Sequence, residues 1–88
     1  MSQIDYEVLP EHIRAGVRRY VERGTIPGDF LQAVIKNQLK ESFALADRVN
    51  IDNMFDIVGF FYNEVPGSCW GSEEKMIKWN EKGGLLEV

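Results

Sequence analysis

The stretch from His12 to Arg23 holds the groups best suited to binding an anion. On a helix at ~100° per residue, Arg14 and Arg18 fall on one side of an apolar stripe. His12, Arg19 and Arg23 fall on the other. A guanidinium grips a carboxylate or a phosphate through two parallel hydrogen bonds. With Tyr20 or Trp70 near, the same arginines would surround a phosphate while an aromatic ring stacks on a nucleotide base. The plainer account is that long cations border an apolar stripe, bury their stems and keep their heads in water.

The loop PGSCWGS, residues 66–72, supplies the second candidate. Trp70 either plugs the end of a helical bundle or stands out as an anchor for a partner, since tryptophan is enriched at interface hot spots. Trp79 has the same two readings. It lies beside Met76 and a cationic stripe of Lys75, Lys78 and Lys82, which reads as a solvated face. Cys69 and His12 are the chain's single thiol and single imidazole. A nucleophile and base need a third group to orient them, and none is signalled. Cys69 reads as a small buried residue, and one cysteine with one histidine falls short of a structural zinc site.

Asp52 and Asp56 stand one turn apart. They offer two carboxylates to a hard cation or to a partner's arginine, or they are simply the wet side of a helix. Gly59 on the same strip costs a helix ~1 kcal/mol relative to alanine and permits another backbone to approach. Asn63 adds amide donors and an acceptor at that edge. Neither GxGxxG nor GxxxxGK[ST] occurs, so no phosphate-cradling loop is indicated. No cofactor is expected.

The elements that must position these groups are helical. The most apolar segment, Asn50 to Tyr62, places Met54, Ile57, Val58 and Phe61 on one face. Ile51, Phe55 and Tyr62 widen that face on one side and Phe60 on the other. A helix apolar around so much of its circumference asks for several neighbours, so it reads as the central rod, with Asn50 as its cap. Val65, ahead of Pro66, is its exit, because a residue before proline leaves helical geometry. The first helix runs from Pro10 to about Arg23 and stops at Gly24. Its core face is Ile13, Val17, Tyr20 and Val21, and Gly16 beside it would allow a close crossing. Thr25 or Asp29 caps a second helix, about Pro27 to Gln38, presenting Phe30, Leu31, Val34 and Ile35. The apolar face then jumps. A break near Asn37 and a short helix from Leu39 to Asp47, with Leu39, Phe43 and Ala46 inward, fit better than one helix over 28–48. Ser72 caps the last helix, about Glu73 to Lys82, which ends at Gly83-Gly84. Leu85, Leu86 and Val88 form an apolar tail for docking, and residues 1–9 form a loose lead-in. The fold class is therefore all-α: one domain over residues 1–88, with four or five short helices around Asn50–Tyr62.

Composition narrows the function. The chain has 88 residues, 44% of them hydrophobic, and a net charge of −4. Its longest apolar run, Ile57 to Tyr62, is far below the ~20 residues of a bilayer span. The N-terminus lacks the pattern of a secretory signal. A cytoplasmic location and no membrane partner are expected. Bulk nucleic-acid binding, driven by phosphate neutralisation, is disfavoured by the acidic balance. A domain of this size draws little stability from its own core, so ten aromatic side chains, homo-oligomerisation, or both must supplement it.

One resemblance rests on specific pieces: Ile13-Arg14, Gly16, Arg19-Tyr20, Pro27-Gly28-x-Phe30-Leu31, Asn37, Tyr62-Asn63, Cys69-Trp70-Gly71-Ser72 and Gly83-Gly84-Leu85. Over roughly residues 9–85 the chain resembles a family of short proteins of bacteriophages and prophages with no assigned chemistry. The resemblance implies a small accessory protein of the infected or lysogenic cell. Such proteins act by binding: they block a host enzyme or defence complex, or soak up a signal molecule. The expectation is thus a non-enzymatic protein that binds a host protein, perturbing defence or metabolism. The alternative is an oligomer sequestering a nucleotide or another anionic small molecule. The residues expected to meet the target are Arg14, Arg18, Arg19, Tyr20, Asn63 and Trp70.

Overall fold

Six α-helices and two 3-10 turns make up the described chain, residues 4–85 of the computed structural model, and no strand occurs among those residues. The order is a 3-10 turn (Tyr6–Val8), α1 (Glu11–Arg23), α2 (Asp29–Ile35), α3 (Leu39–Leu45), α4 (Arg48–Asp52), α5 (Met54–Glu64), a second 3-10 turn (Gly67–Cys69) and α6 (Glu73–Lys82). The all-α reading holds, with six α-helices where four or five were expected.

α1 follows its periodicity. Ile13, Val17, Tyr20 and Val21 are all buried, each such side chain contributing ~1.5–3 kcal/mol of apolar burial. Gly24 ends the helix in the left-handed region at φ 77°, where glycine carries no Cβ penalty. A Cβ there would stand 2.9 Å from the Trp79 carbonyl oxygen, so the position also needs an absent side chain. Gly16 does not mark a tight crossing: a Cβ on it would make ordinary contact, 3.8 Å from Leu31 Cδ1.

α2 is shorter than expected. Gly28 sits at its N-cap without a side-chain hydrogen bond, so neither Thr25 nor Asp29 caps it. Leu31, Ala33, Val34 and Ile35 are buried and Phe30 half-buried. The expected break is present: Asn37 adopts φ 61°, the one left-handed non-glycine residue among the described residues, a conformation asparagine tolerates better than most. α3 then packs back on α2, but not with the expected face. Ser42 is buried, its hydroxyl donating to the Leu39 carbonyl at 2.7 Å. Leu39 and Phe43 turn outward and Ala46 is half-buried.

The central rod is two pieces. Asp47, not Asn50, caps α4, accepting the Asn50 amide at 2.8 Å. Asn50 is buried with its side-chain Oδ1 unpartnered. The chain breaks at Asn53 and restarts as α5, which ends at Glu64 with Val65 extended before Pro66. Met54, Ile57, Phe60 and Phe61 are buried, and Val58 is half-buried. Ile51, Phe55 and Tyr62, expected to widen the core face, are exposed.

The core joins α1, α2, α5 and α6 through Leu9, Ile13, Val17, Tyr20, Val21, Ile35, Ile57, Phe60, Phe61, Cys69, Met76 and Trp79. Leu9 within it shows that residues 4–9 are no loose lead-in: Tyr6 lies 5.5 Å from the Phe60 ring, and Asp5 caps its turn by accepting the Glu7 amide at 3.0 Å. Residues 1–3 of the expected lead-in lie outside the described residues. Ser72 caps α6 as expected, accepting the Lys75 amide at 3.1 Å. Gly83 and Gly84 follow in the left-handed region, and the Leu85 amide donates to the Val21 carbonyl at 3.0 Å. Leu85 itself is exposed, and Leu86 and Val88 lie outside the described residues. No described helix is long and apolar enough to cross a membrane.

Candidate docking groove

The expected arginine site does not converge. Arg14 donates from Nε to the Leu9 carbonyl at 2.9 Å and from Nη2 to the Glu7 carbonyl at 3.1 Å. Its guanidinium pins the N-terminal turn to α1. Arg18 pairs with Glu22 at 3.2 Å and lies 5.7 Å above the Tyr6 ring. Glu22 also accepts the Tyr6 hydroxyl at 3.1 Å. Burial, and then the Glu22 charge, push the Tyr6 phenol above its ordinary range. Arg19 stands exposed on the same helix.

Tyr20 cannot serve as a stacking ring at the surface, because it is fully buried. Its hydroxyl donates to the Cys69 carbonyl at 2.6 Å, and its own carbonyl accepts the Trp79 indole Nε1–H at 2.9 Å. Both polar groups of two large buried aromatics are thereby satisfied, which a dry core demands. The phenol is pushed well above its usual range, first by burial.

Trp79 is core, not anchor, with the Lys82 ammonium 4.6 Å from its ring. Lys75 donates to the Gly67 carbonyl at 3.3 Å and Lys78 lies 3.8 Å from Glu74. Cys69 is fully buried, and burial pushes its thiol up to about 12. It therefore carries almost no thiolate at neutral pH, and thiolate is the nucleophilic form. His12 lies elsewhere, exposed, with Nε2 3.0 Å from Asp47. Asp47 is held below the usual carboxylate range, first by the Asn50 amide and then by His12. Among the described residues no three His, Cys, Asp or Glu side chains cluster to hold a metal ion.

The concave apolar surface lies instead between α3 and α5. Leu39, Phe43, Met54, Phe55, Val58, Gly59, Tyr62 and Asn63 line a groove of about 410 Å³. Its walls are oily and uncovered: Phe55 is 90% exposed, Tyr62 77%, Leu39 68% and Phe43 45%. Leu45, Val49 and Ile51 are exposed as well but do not line the groove; Leu45 faces a separate, polar hollow with Asp29, Gln32 and Lys36. Scattered apolar residues are normal on a surface, whereas a contiguous patch marks an interaction site.

Gly59 forms part of the floor. A Cβ there would meet only the Asn63 Nδ2, at 3.9 Å. Beyond its chain neighbours and its own helix backbone, no other atom of the described residues comes within 4 Å, so packing among them does not call for a mid-helix glycine that costs ~1 kcal/mol against alanine. The missing side chain leaves a notch open to whatever lies in the groove.

Of the expected site residues, Asn63 lines this groove. Trp70 lies behind it, half-buried, its ring 6.0 Å from Phe61. Trp70 lines a second depression of about 400 Å³ with Asn37, Tyr62, Val65, Gly67, Gly71 and Lys75. Tyr62 belongs to both hollows. No arginine lines either one. Leu39, Phe43, Phe55 and Tyr62 carry the groove but were read from sequence as core. The signal that could have separated them was the excess of apolar residues around the helix compared with the neighbours so short a chain can supply. Compared with family models, curated proteins and solved structures, the chain matches none.

Proposed function

We propose that this is a small non-enzymatic accessory protein of phage or prophage type that acts by docking a host protein. The observation that carries this reading is the uncovered groove between α3 and α5, with Phe55 and Tyr62 standing out from it. Large aromatic side chains are the commonest anchors of protein interfaces. An apolar channel with few polar groups suits a protein surface better than a charged metabolite. The resemblance to phage and prophage proteins supplies the context, a host enzyme or defence complex as target. The contact surface moves from the arginines of α1 to α3 and α5.

The test is retrieval with a matched control. Immobilised full-length protein should retain a defined bacterial partner in stoichiometric amount, identified by mass spectrometry. Phe55→Asp should lose that partner, while Arg19→Ala keeps it. Equal retrieval by wild type and Phe55→Asp would remove the groove from the account.

The second reading, sequestration of a nucleotide or other anion, has one favourable feature: Trp70 and Tyr62 share a depression with Lys75. It predicts a rise in Tm with some member of a nucleotide panel, abolished by Lys75→Ala. An unmoved Tm across the panel would end it.

A further inference from the structure

The groove has a charge asymmetry that defines what can fill it. From residue 49 to residue 74 the chain holds five carboxylates and no lysine or arginine. On α5, helical geometry places Asp56 and Asn63 beyond Gly59, on the edge away from α3. That edge runs into a second cleft, lined by Val8, Phe55, Asp56, Gly59, Phe60, Asn63 and Glu64. Asp56 has no ion-pair or hydrogen-bond partner among the described residues. Among the described residues Glu64 accepts only the exposed Asp5 amide, at 3.2 Å, which adds a third carboxylate to the neighbourhood. The two guanidiniums that reach the first 3-10 turn are already committed, Arg14 to the Glu7 and Leu9 carbonyls and Arg18 to Glu22. On the opposite wall α3 carries Lys40 beside Leu39. One edge of an oily channel is therefore acidic, and the other is not.

We infer that the occupant is an amphipathic α-helix of a partner protein, lying along α5 with a lysine- or arginine-rich flank against Asp56 and Glu64. This rests on the docking reading proposed above and adds the chemistry of the partner. α5 has 11 residues, so at ~1.5 Å rise per residue the channel spans about three turns of a bound helix. Phe55 and Tyr62 stand two turns apart, at the spacing that engages apolar positions i, i+4 and i+7 of a ligand helix. The Gly59 notch between them admits one large side chain or a close helix crossing. Opposite charge along one edge sets the direction and register of the ligand and speeds its encounter.

A second copy of this chain fits worse. An antiparallel two-fold pairing of α5 with itself brings each edge of the helix against the same edge of its mate. Asp56 and Glu64 would then face Asp56 and Glu64, in a chain already at −4. Like charges so placed oppose association.

The experiment uses the full chain and two fluorescein-labelled synthetic helices of about three to five turns. Both carry Leu and Phe at i, i+4, i+7 and i+11. One has lysines along one flank and the other has glutamates there. In low salt the lysine peptide should bind about tenfold or more tightly than the glutamate peptide, and high salt should narrow that gap. Backbone amide shifts should move at Phe55, Gly59 and Tyr62. Asp56→Lys should erase or invert the preference without changing Tm appreciably, and Phe55→Asp should weaken both peptides. Equal binding of the two peptides in the groove would overturn the basic-helix assignment and leave the docking reading standing. Failure of both to bind, or binding indifferent to Phe55→Asp, would overturn it as well, and retrieval of a partner through the groove would then decide the docking reading separately. A wild-type dimer in sedimentation that Phe55→Asp dissociates would assign the groove to a second copy instead.

Discussion

Phe60 and Phe61 on α5 are buried, whereas Phe55 and Tyr62 on the same helix stand almost fully in solvent. The difference lies in what the rest of the chain brings to each side. On the buried side α1, α6 and the second 3-10 turn close the core, and even its polar atoms are matched: the Tyr20 hydroxyl to Cys69, the Trp79 indole to Tyr20. On the open side α3 arrives but turns Leu39 and Phe43 outward, and Val8 and Trp70 reach only the margins beside Phe55 and Tyr62. One region behaves as a finished interior. The other has the composition of an interior without its cover. The contrast teaches that α5 carries more apolar surface than the fold covers: one side is enclosed in the core, and the other is left open, the side proposed above to receive a partner.

Each substitution below breaks or sharpens that contrast. Trp79→Ala should be the most damaging, costing about 3–5 kcal/mol through lost burial and a residual cavity. Urea denaturation would show it, and a loss below about 1 kcal/mol would mean that the interior side is not closed as described. Gly84→Ala comes next. Gly84 has φ 78°, and a Cβ would fall 2.6 Å from the Arg23 amide nitrogen. The strain and clash should cost about 1–3 kcal/mol or more, read as a lowered urea midpoint with an unchanged slope. Tyr20→Phe leaves the Cys69 carbonyl buried without its donor, at about 1–3 kcal/mol. Its measurement against Tyr62→Phe, which should be silent, contrasts the two sides with one chemical change.

Alkali probes the same asymmetry. The folded chain holds the Cys69 proton up to about 12, against an ordinary value of 9.0. The phenols of Tyr6 and Tyr20 are likewise raised above 10.0 by burial. Above pH 9 the unfolded chain has released protons that the folded chain still binds. Stability is therefore full below pH 9 and falls as pH rises from 9 toward 12. The urea midpoint should drop between pH 8 and pH 10.5, with a shallower fall in Cys69→Ala. A flat profile would mean that these groups are wetter than their surroundings indicate.

The smallest stability effects belong to the open side. Phe55→Asp should change stability by no more than about 0.5 kcal/mol while removing binding. Gly59→Ala should raise stability by about 0.5–1 kcal/mol and weaken binding, because the methyl group fills the notch. A variant gaining stability and losing affinity together would separate the two uses of α5 more cleanly than any loss on both counts.

Much of the fold could be read from the sequence where one signal acts alone. The i, i+4, i+7, i+8 spacing in α1, the Ser72 cap and the Gly24 and Gly83 stops are local, and all four positions behave as read. The break near Asn37 was visible because an apolar stripe changed phase there. The groove was not visible in the same way. Periodicity reports which residues share a face, but not whether another helix comes to cover it. Leu39 and Phe43 fit an inward face as well as Ser42 does by spacing, and only the packing of α3 on α2 selects Ser42. The split at Asn53 escaped for a related reason: the apolar pattern runs through it without interruption. Of the six expected contact residues, Asn63 alone lines the groove, because a helical wheel cannot tell that Arg14 will reach back to the Glu7 and Leu9 carbonyls or that Tyr20 points inward.

The seam between α1 and α6 carries a consequence for how the molecule opens. Trp79 meets Tyr20, Asn80 donates to the Gly24 carbonyl at 2.8 Å, and Leu85 reaches Val21. Positions far apart along the backbone thus finish one another's hydrogen bonds. Detaching α6 would strip the Tyr20 and Gly24 carbonyls of their α6 donors and wet the Tyr20 ring. Neither helix therefore frays alone, and amide exchange across this seam should follow the global unfolding of the molecule.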